Sequence, residues 1–181
     1  CSPHVLRQTY DILDMLAARS VRATFFILGL VAEAHPALVR DIAAAGHEGG
    51  SHGWSHQLIY RQVRDVFAEE TTRSKALLED VLGRPVHGYR AAEFSVTRHS
   101  RWALEVLAAA GFTYHSSIFP IQGRRSGIPG TEDPRYFSLF QEIKGDLDRG
   151  VLFLTNGGQR SLIHAHRLRG GAAGIRSCRL V

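Results

Sequence analysis

Two histidines with three residues between them, His52 and His56 in Ser51-His52-Gly53-Trp54-Ser55-His56, are the part of this chain best suited to chemistry. They follow the glycine-rich run Gly46-His47-Glu48-Gly49-Gly50. An H-x-x-x-H pair brings two imidazoles to one side of a turn, close enough to share a cation. Neutral imidazole suits zinc, cobalt or nickel. A zinc-protease helix needs Glu directly after the first His; Gly53 stands there, so that chemistry is excluded. In a chain with ten histidines, spacing alone leaves two readings open, a metal site and a structural pair.

The elements that must carry these residues are legible from periodicity and punctuation. Ser2-Pro3 reads as an N-cap and first helical residue, and Val5, Leu6, Tyr10, Leu13, Leu16 and Ala17 recur at helical spacing, predicting a helix over 3–19. Val21 to Leu28 is a β-branched and aromatic run of strand length. His35-Pro36 opens a second helix through Ala45, stopped by Gly46, and residues 47–51 form a short strand weakened by Gly49 and Gly50. Residues 62–82 make the longest helix, ended by Gly83 and Pro85. Strands are expected at Val86–Arg90 and Phe112–Ile118, with a helix from Thr97 to Ala110 between them. Alternating strand and helix predicts an α/β fold of parallel strands with crossover helices. In such folds chemistry gathers at the C-terminal ends of the strands, where His52, Arg90 and Tyr114–His115 fall.

With 181 residues the chain has room for one domain with a real core. No apolar run is long enough to span a bilayer. Cys1 and Cys178 support neither a disulfide framework nor a metal cluster. The chain begins at Cys1 rather than Met, which points to a missing start and leaves the compartment open. The net charge of +5 comes entirely from Arg160, Arg167, Arg169, Arg176 and Arg179. That tail has no aromatic residue to stack on bases, so nucleic acid is not expected as a partner. Tyr136–Phe140 and Val151–Thr155 are candidate strands. Residues 157–181 read as a basic tail, poorly ordered or out of frame, since their Arg-, Gly- and Ala-rich composition is also what a GC-rich gene yields when misread.

Four blocks in order carry a family resemblance over roughly residues 1–130. They are Ala23-Thr24-Phe25-Phe26-Ile27-Leu28-Gly29, the segment from Gly46 through His56, Gly88-Tyr89-Arg90-Ala91-Ala92-Glu93-Phe94-Ser95, and Gly111 through Pro120. Together they resemble the polysaccharide deacetylases, carbohydrate esterase family 4, nearest to the exopolysaccharide-associated deacetylases of bacteria. The resemblance implies an incomplete or distorted β/α barrel over a partial deacetylase domain at residues 1–156. It also implies a metal-dependent hydrolase that removes N-acetyl groups from an N-acetylhexosamine polysaccharide, with zinc the expected metal and with this incomplete fragment expected to be a poor or inactive catalyst alone.

Carried over residue by residue, His52 and His56 match the family's two metal-binding histidines. Arg90 matches the arginine that orients a catalytic carboxylate, and it could equally form a salt bridge with Glu93. His164 in Leu162-Ile163-His164 matches the letters of the general-acid motif. Trp54 and Tyr114 are candidate substrate contacts, Trp54 also a candidate for plain packing. Three departures stand out. The Asp-bearing first strand of the family has no counterpart here; Asp11 and Asp14 sit on the solvated face of the first helix, so the chain reads as a fragment. Ala92 replaces the proline of the arginine motif, which leaves the loop's conformation open, and Glu93 beside it is a candidate new carboxylate. His115 stands where relatives place Asp. Rival readings are a non-catalytic carbohydrate-binding relative and a basic-tailed interaction protein on the same fold.

Overall fold

In the computed structural model the described residues are 4–118, 128 and 150–153. The elements run α1 (His4–Ala17), β1 (Ala23–Ile27), α2 (Gly29–Ala34), α3 (Pro36–Ala44), β2 (Glu48–Ser51), α4 (Arg64–Leu82), β3 (Gly88–Tyr89), α5 (Trp102–Ala109), β4 (Tyr114–His115) and β5 (Gly150–Phe153). The strands form one sheet in the order β4-β3-β2-β1-β5, and every pairing is parallel. This is the expected α/β architecture, and among the described residues the sheet does not close into a ring. The candidate strand Tyr136–Phe140, His164 and the basic tail lie outside the described residues. No described helix is long and apolar enough to cross a membrane.

β1 is buried at all five positions, as an unbroken apolar run in a parallel sheet should be. The core continues through Leu38, Val39 and Ile42 of α3 and through Phe67 and Leu78 of α4. An aromatic chain runs under α4. Phe67 meets Tyr89 edge-on at 6.0 Å and Trp102 at 5.6 Å, and Tyr89 meets Phe112 at 5.4 Å. These contacts hold β3, and therefore Arg90 just beyond it, at a fixed height.

The structure adds to the sequence reading at two points near β1. The turn after β1 contains an extra helix, α2, whose six residues are too few to show a helical period. Gly50 has a packing reason in β2. A Cβ there would fall 2.8 Å from the Phe26 ring and 3.1 Å from the Gly88 carbonyl oxygen, so glycine lets neighbouring groups close onto the strand. Gly83 has a different reason. It ends α4 in the left-handed region, at φ 63°, with its N–H donating to the Glu79 carbonyl at 2.9 Å. Nothing lies within 4 Å of where its Cβ would sit. Gly83→Ala therefore tests backbone conformation alone, and chemical denaturation should show a loss of about 1 kcal/mol.

Candidate metal centre

β2 ends at Ser51 and delivers His52 to the C-terminal edge of the sheet. The backbone there is pinned on three sides. His52 N–H donates to the Ile27 carbonyl at 2.9 Å, Gly29 N–H donates to the Gly53 carbonyl at 2.9 Å, and Arg90 N–H donates to the Ser51 carbonyl at 2.9 Å. Side chains complete the clamp: Ser74 Oγ donates to the Gly53 carbonyl at 3.1 Å and lies 2.9 Å from Ser51 Oγ. The loop then turns back at His56, which takes a left-handed φ of 62°. That turn brings the two imidazoles together, with centroids 4.9 Å apart and planes at 73°.

The ring nitrogens are sorted by their partners. His52 Nδ1 lies 2.7 Å from the Arg90 carbonyl oxygen, which can only accept, so Nδ1 carries the proton and Nε2 the lone pair. His56 Nε2 is buried with no hydrogen-bond partner among the described residues. Burial pulls His52 down to about 4, against the opposing pull of the Arg90 carbonyl, with smaller lowering by His56 and Arg90. His56 is also lowered, first by burial, while the charge of Glu93 and a bond to its own backbone act the other way. Both rings are thus neutral near pH 7 and hold available lone pairs, which fits the nitrogen donors of one cation. Among the described residues no third His, Cys, Asp or Glu completes a cluster. Within the described residues the pair offers two nitrogen donors for a cation and no third ligand.

Arg90 is buried beside this pair. Its Nη1 donates to Ser116 Oγ at 3.0 Å, and its guanidinium lies 4.3 Å from the centre of the Phe94 ring. Burial pulls it down to about 9, so it remains a cation at neutral pH. It does not take up the salt bridge with Glu93 that the sequence left open. His115 is kept toward its neutral form by burial, and its Nδ1 has no partner among the described residues.

The two candidate substrate contacts are otherwise engaged. Trp54 is only 8% exposed; its ring lies against Gly29, where a Cβ would come within 2.3 Å, and the Arg73 guanidinium sits 3.5 Å from the ring centre. It packs. Tyr114 lays its ring across Gly88 and donates its hydroxyl to Glu48 Oε1 at 2.7 Å. Glu48 opens β2 whereas His52 follows its end, so the Tyr114 hydroxyl points away from the imidazole pair.

Several polar residues around the site were not singled out as site residues from the sequence. Ser116 holds Arg90, and Ser117 Oγ accepts the Ala91 N–H at 3.0 Å. Gln62, Glu70, Thr71 and Tyr89 line a small polar cavity shared with His52 and His56. The Ser-Ser pair after β4 was the one available signal, because small hydroxyls after a strand are suited to holding loop backbone.

A family profile described as "Polysaccharide deacetylase" matches residues 6–115. A peptidoglycan-N-acetylglucosamine deacetylase of Bacillus cereus is 35% identical over 89 residues, covering 46% of this chain and 32% of that protein. A chitooligosaccharide deacetylase of Bradyrhizobium is 32% identical over 130 residues, covering 66% of this chain and 54% of that protein. Among solved structures, a D285S mutant of the peptidoglycan deacetylase PdaC from Bacillus subtilis superposes with a TM-score of 0.51. It is 25% identical and covers 58% of this chain and 50% of that one. The match therefore spans about a third of the length of the first of these curated relatives and about half of the second.

Proposed function

The chain belongs to the polysaccharide deacetylase family, and on that premise we propose that it is a metal-dependent hydrolase removing N-acetyl groups from an N-acetylhexosamine polymer. The observation that carries this reading is the imidazole pair locked through the Arg90 carbonyl. Two neutral nitrogens at a strand's C-terminal end, beside a buried cation, suit hydrolysis of an acetamide better than a structural role.

His52 and His56 would hold a divalent cation, with zinc the best match to two imidazoles. When bound, that cation supplies Lewis-acid activation of the acetamide group. His52 is oriented by donating its Nδ1 proton to Arg90, so its lone pair stays directed without rotation of the ring. Arg90 contributes a fixed positive charge whose direction Ser116 and Phe94 set, ready to orient a carboxylate or an anionic oxygen. The relatives that match act, by their names, on peptidoglycan N-acetylglucosamine and on chitooligosaccharides, so those are the substrates to test first. His164 remains the proposal for the general acid.

Acetate release from N-acetylglucosamine oligomers and from peptidoglycan tests the reading. The release expected from a site with only two described ligands is slow, and a chelator should remove it and zinc restore it. Tight binding of the oligomers with no zinc uptake would instead make the chain a carbohydrate-binding relative. Release that ignores the chelator would overturn the metal role.

A further inference from the structure

The wall beside the imidazole pair is polar, and its groups are unequally partnered. Thr71 is fully buried in α4. A helical threonine can donate its hydroxyl to the carbonyl one turn back, as Thr9 does to Val5 at 2.8 Å. Thr71 Oγ1 has no hydrogen-bond partner among the described residues. The Tyr89 hydroxyl sits beside it without the geometry of a bond. Gln62 is satisfied on one side only. Its amide nitrogen donates to the Gln57 carbonyl at 3.1 Å, while its Oε1 is buried and has no described partner. His56 Nε2 is the third such atom. Glu70, on the same wall, has a partner in the loop, accepting from Ser55 Oγ at 3.2 Å.

Thr71, Gln62 and His56 line one small cavity beside His52, with room for about one water molecule. Buried polar atoms are almost always satisfied, by protein or by ordered water. The donor count fits a water. Gln62 Oε1 can only accept, and on the metal reading His56 Nε2 holds a lone pair and accepts as well. The Thr71 hydroxyl can donate. A water has two protons to give and lone pairs to receive one. We propose that this cavity is a water site, in which one molecule donates to His56 Nε2 and Gln62 Oε1, accepts from Thr71, and competes with the cation. The competition follows from His56, whose single Nε2 lone pair serves either the water or the metal. Uptake of the cation strips Gln62 and Thr71 of their partner, so this wall weakens metal binding. The competition rests on the metal reading above; the water rests on the cavity and its three atoms.

Thermal melting of the metal-free 181-residue chain and zinc competition against a chromophoric chelator test the two parts separately. Thr71→Val keeps the side-chain shape and removes the hydroxyl. It should lower the melting temperature by about 2–4 °C, because the water loses a partner. It should also tighten zinc binding about fivefold, because the water is then easier to displace. Thr71→Ser keeps the hydroxyl and should bind zinc as the parent does, whatever the missing methyl costs the fold. A residue serving only the fold would lower the melting temperature without tightening zinc. A melting temperature unchanged or raised by Thr71→Val would show a hydroxyl that holds no water and would overturn the site. Zinc binding unchanged or weakened by Thr71→Val would overturn the competition, the weaker case making Thr71 a partner of the cation. If the parent chain takes no zinc, the metal reading and the competition fall together, and the melting result alone decides the water.

Discussion

His56→Ala should lower zinc affinity by about a hundredfold or more while leaving the fold intact, and His52→Ala should lose both. The two histidines supply all the nitrogen donors that the described site offers, so removing either leaves a single imidazole, which holds zinc only weakly. Their structural roles differ. His56 is half-buried, and alanine at its position meets the same left-handed backbone, so little folding energy changes hands. His52 is 4% exposed and donates to the Arg90 carbonyl at 2.7 Å. Its truncation opens a cavity and removes a buried hydrogen bond, at a cost of about 2–4 kcal/mol. Chelator competition read beside urea denaturation separates the two effects. Undiminished zinc binding by His56→Ala would mean that the pair is structural.

The fold could be read from the chain wherever apolar pattern and punctuation agreed. β1 is an unbroken apolar run, α4 is long and stops at Gly83, and α5 follows Thr97, whose hydroxyl and backbone pair with Ser100 in a capping box. The helix itself starts only at Trp102, since Arg98–Ser100 is a tighter 3-10 turn. Strand lengths were overestimated. Val86 and Phe112 are buried and strand-like in type, yet β3 and β4 pair over only two residues each. Burial of a side chain and pairing of its backbone are separate facts, and sequence reports only the first.

The site was legible in part for a similar reason. His52, His56 and Arg90 carry their signal in residue type and spacing, and the structure gathers all three at one edge of the sheet. Trp54 and Tyr114 have the type of sugar contacts, yet their use depends on what lies beside them: Gly29 and Arg73 for one, Gly88 and Glu48 for the other. These partners are distant in sequence, and glycine's role as a surface for an aromatic ring leaves no pattern. The left-handed turn at Glu93 and Phe94 is the converse case. No propensity favours it, so strain beside a site is found only in coordinates.

The metal-free chain should lose stability on mild acidification, with His52 the largest single contributor. Burial holds its folded pKa at about 4, against 6.5 for the free imidazole that the unfolded chain presents. Below 6.5 the unfolded state therefore takes up a proton that the folded state refuses. The stabilisation is fully present above about pH 6.5 and is lost as pH falls toward 4. The whole effect is about 3 kcal/mol, of which about 2 kcal/mol should be gone by pH 5. His47, His56 and His115 are lowered with burial as the first cause in each, so they act in the same direction. Urea denaturation across this range measures the slope, and His52→Gln, which cannot titrate, should flatten it. A stability unchanged between pH 7 and 5 would show His52 to be solvated and protonated in the folded chain. The same burial that makes the fold acid-sensitive keeps the His52 lone pair free of protons throughout the neutral range, which is the condition a cation needs to bind there.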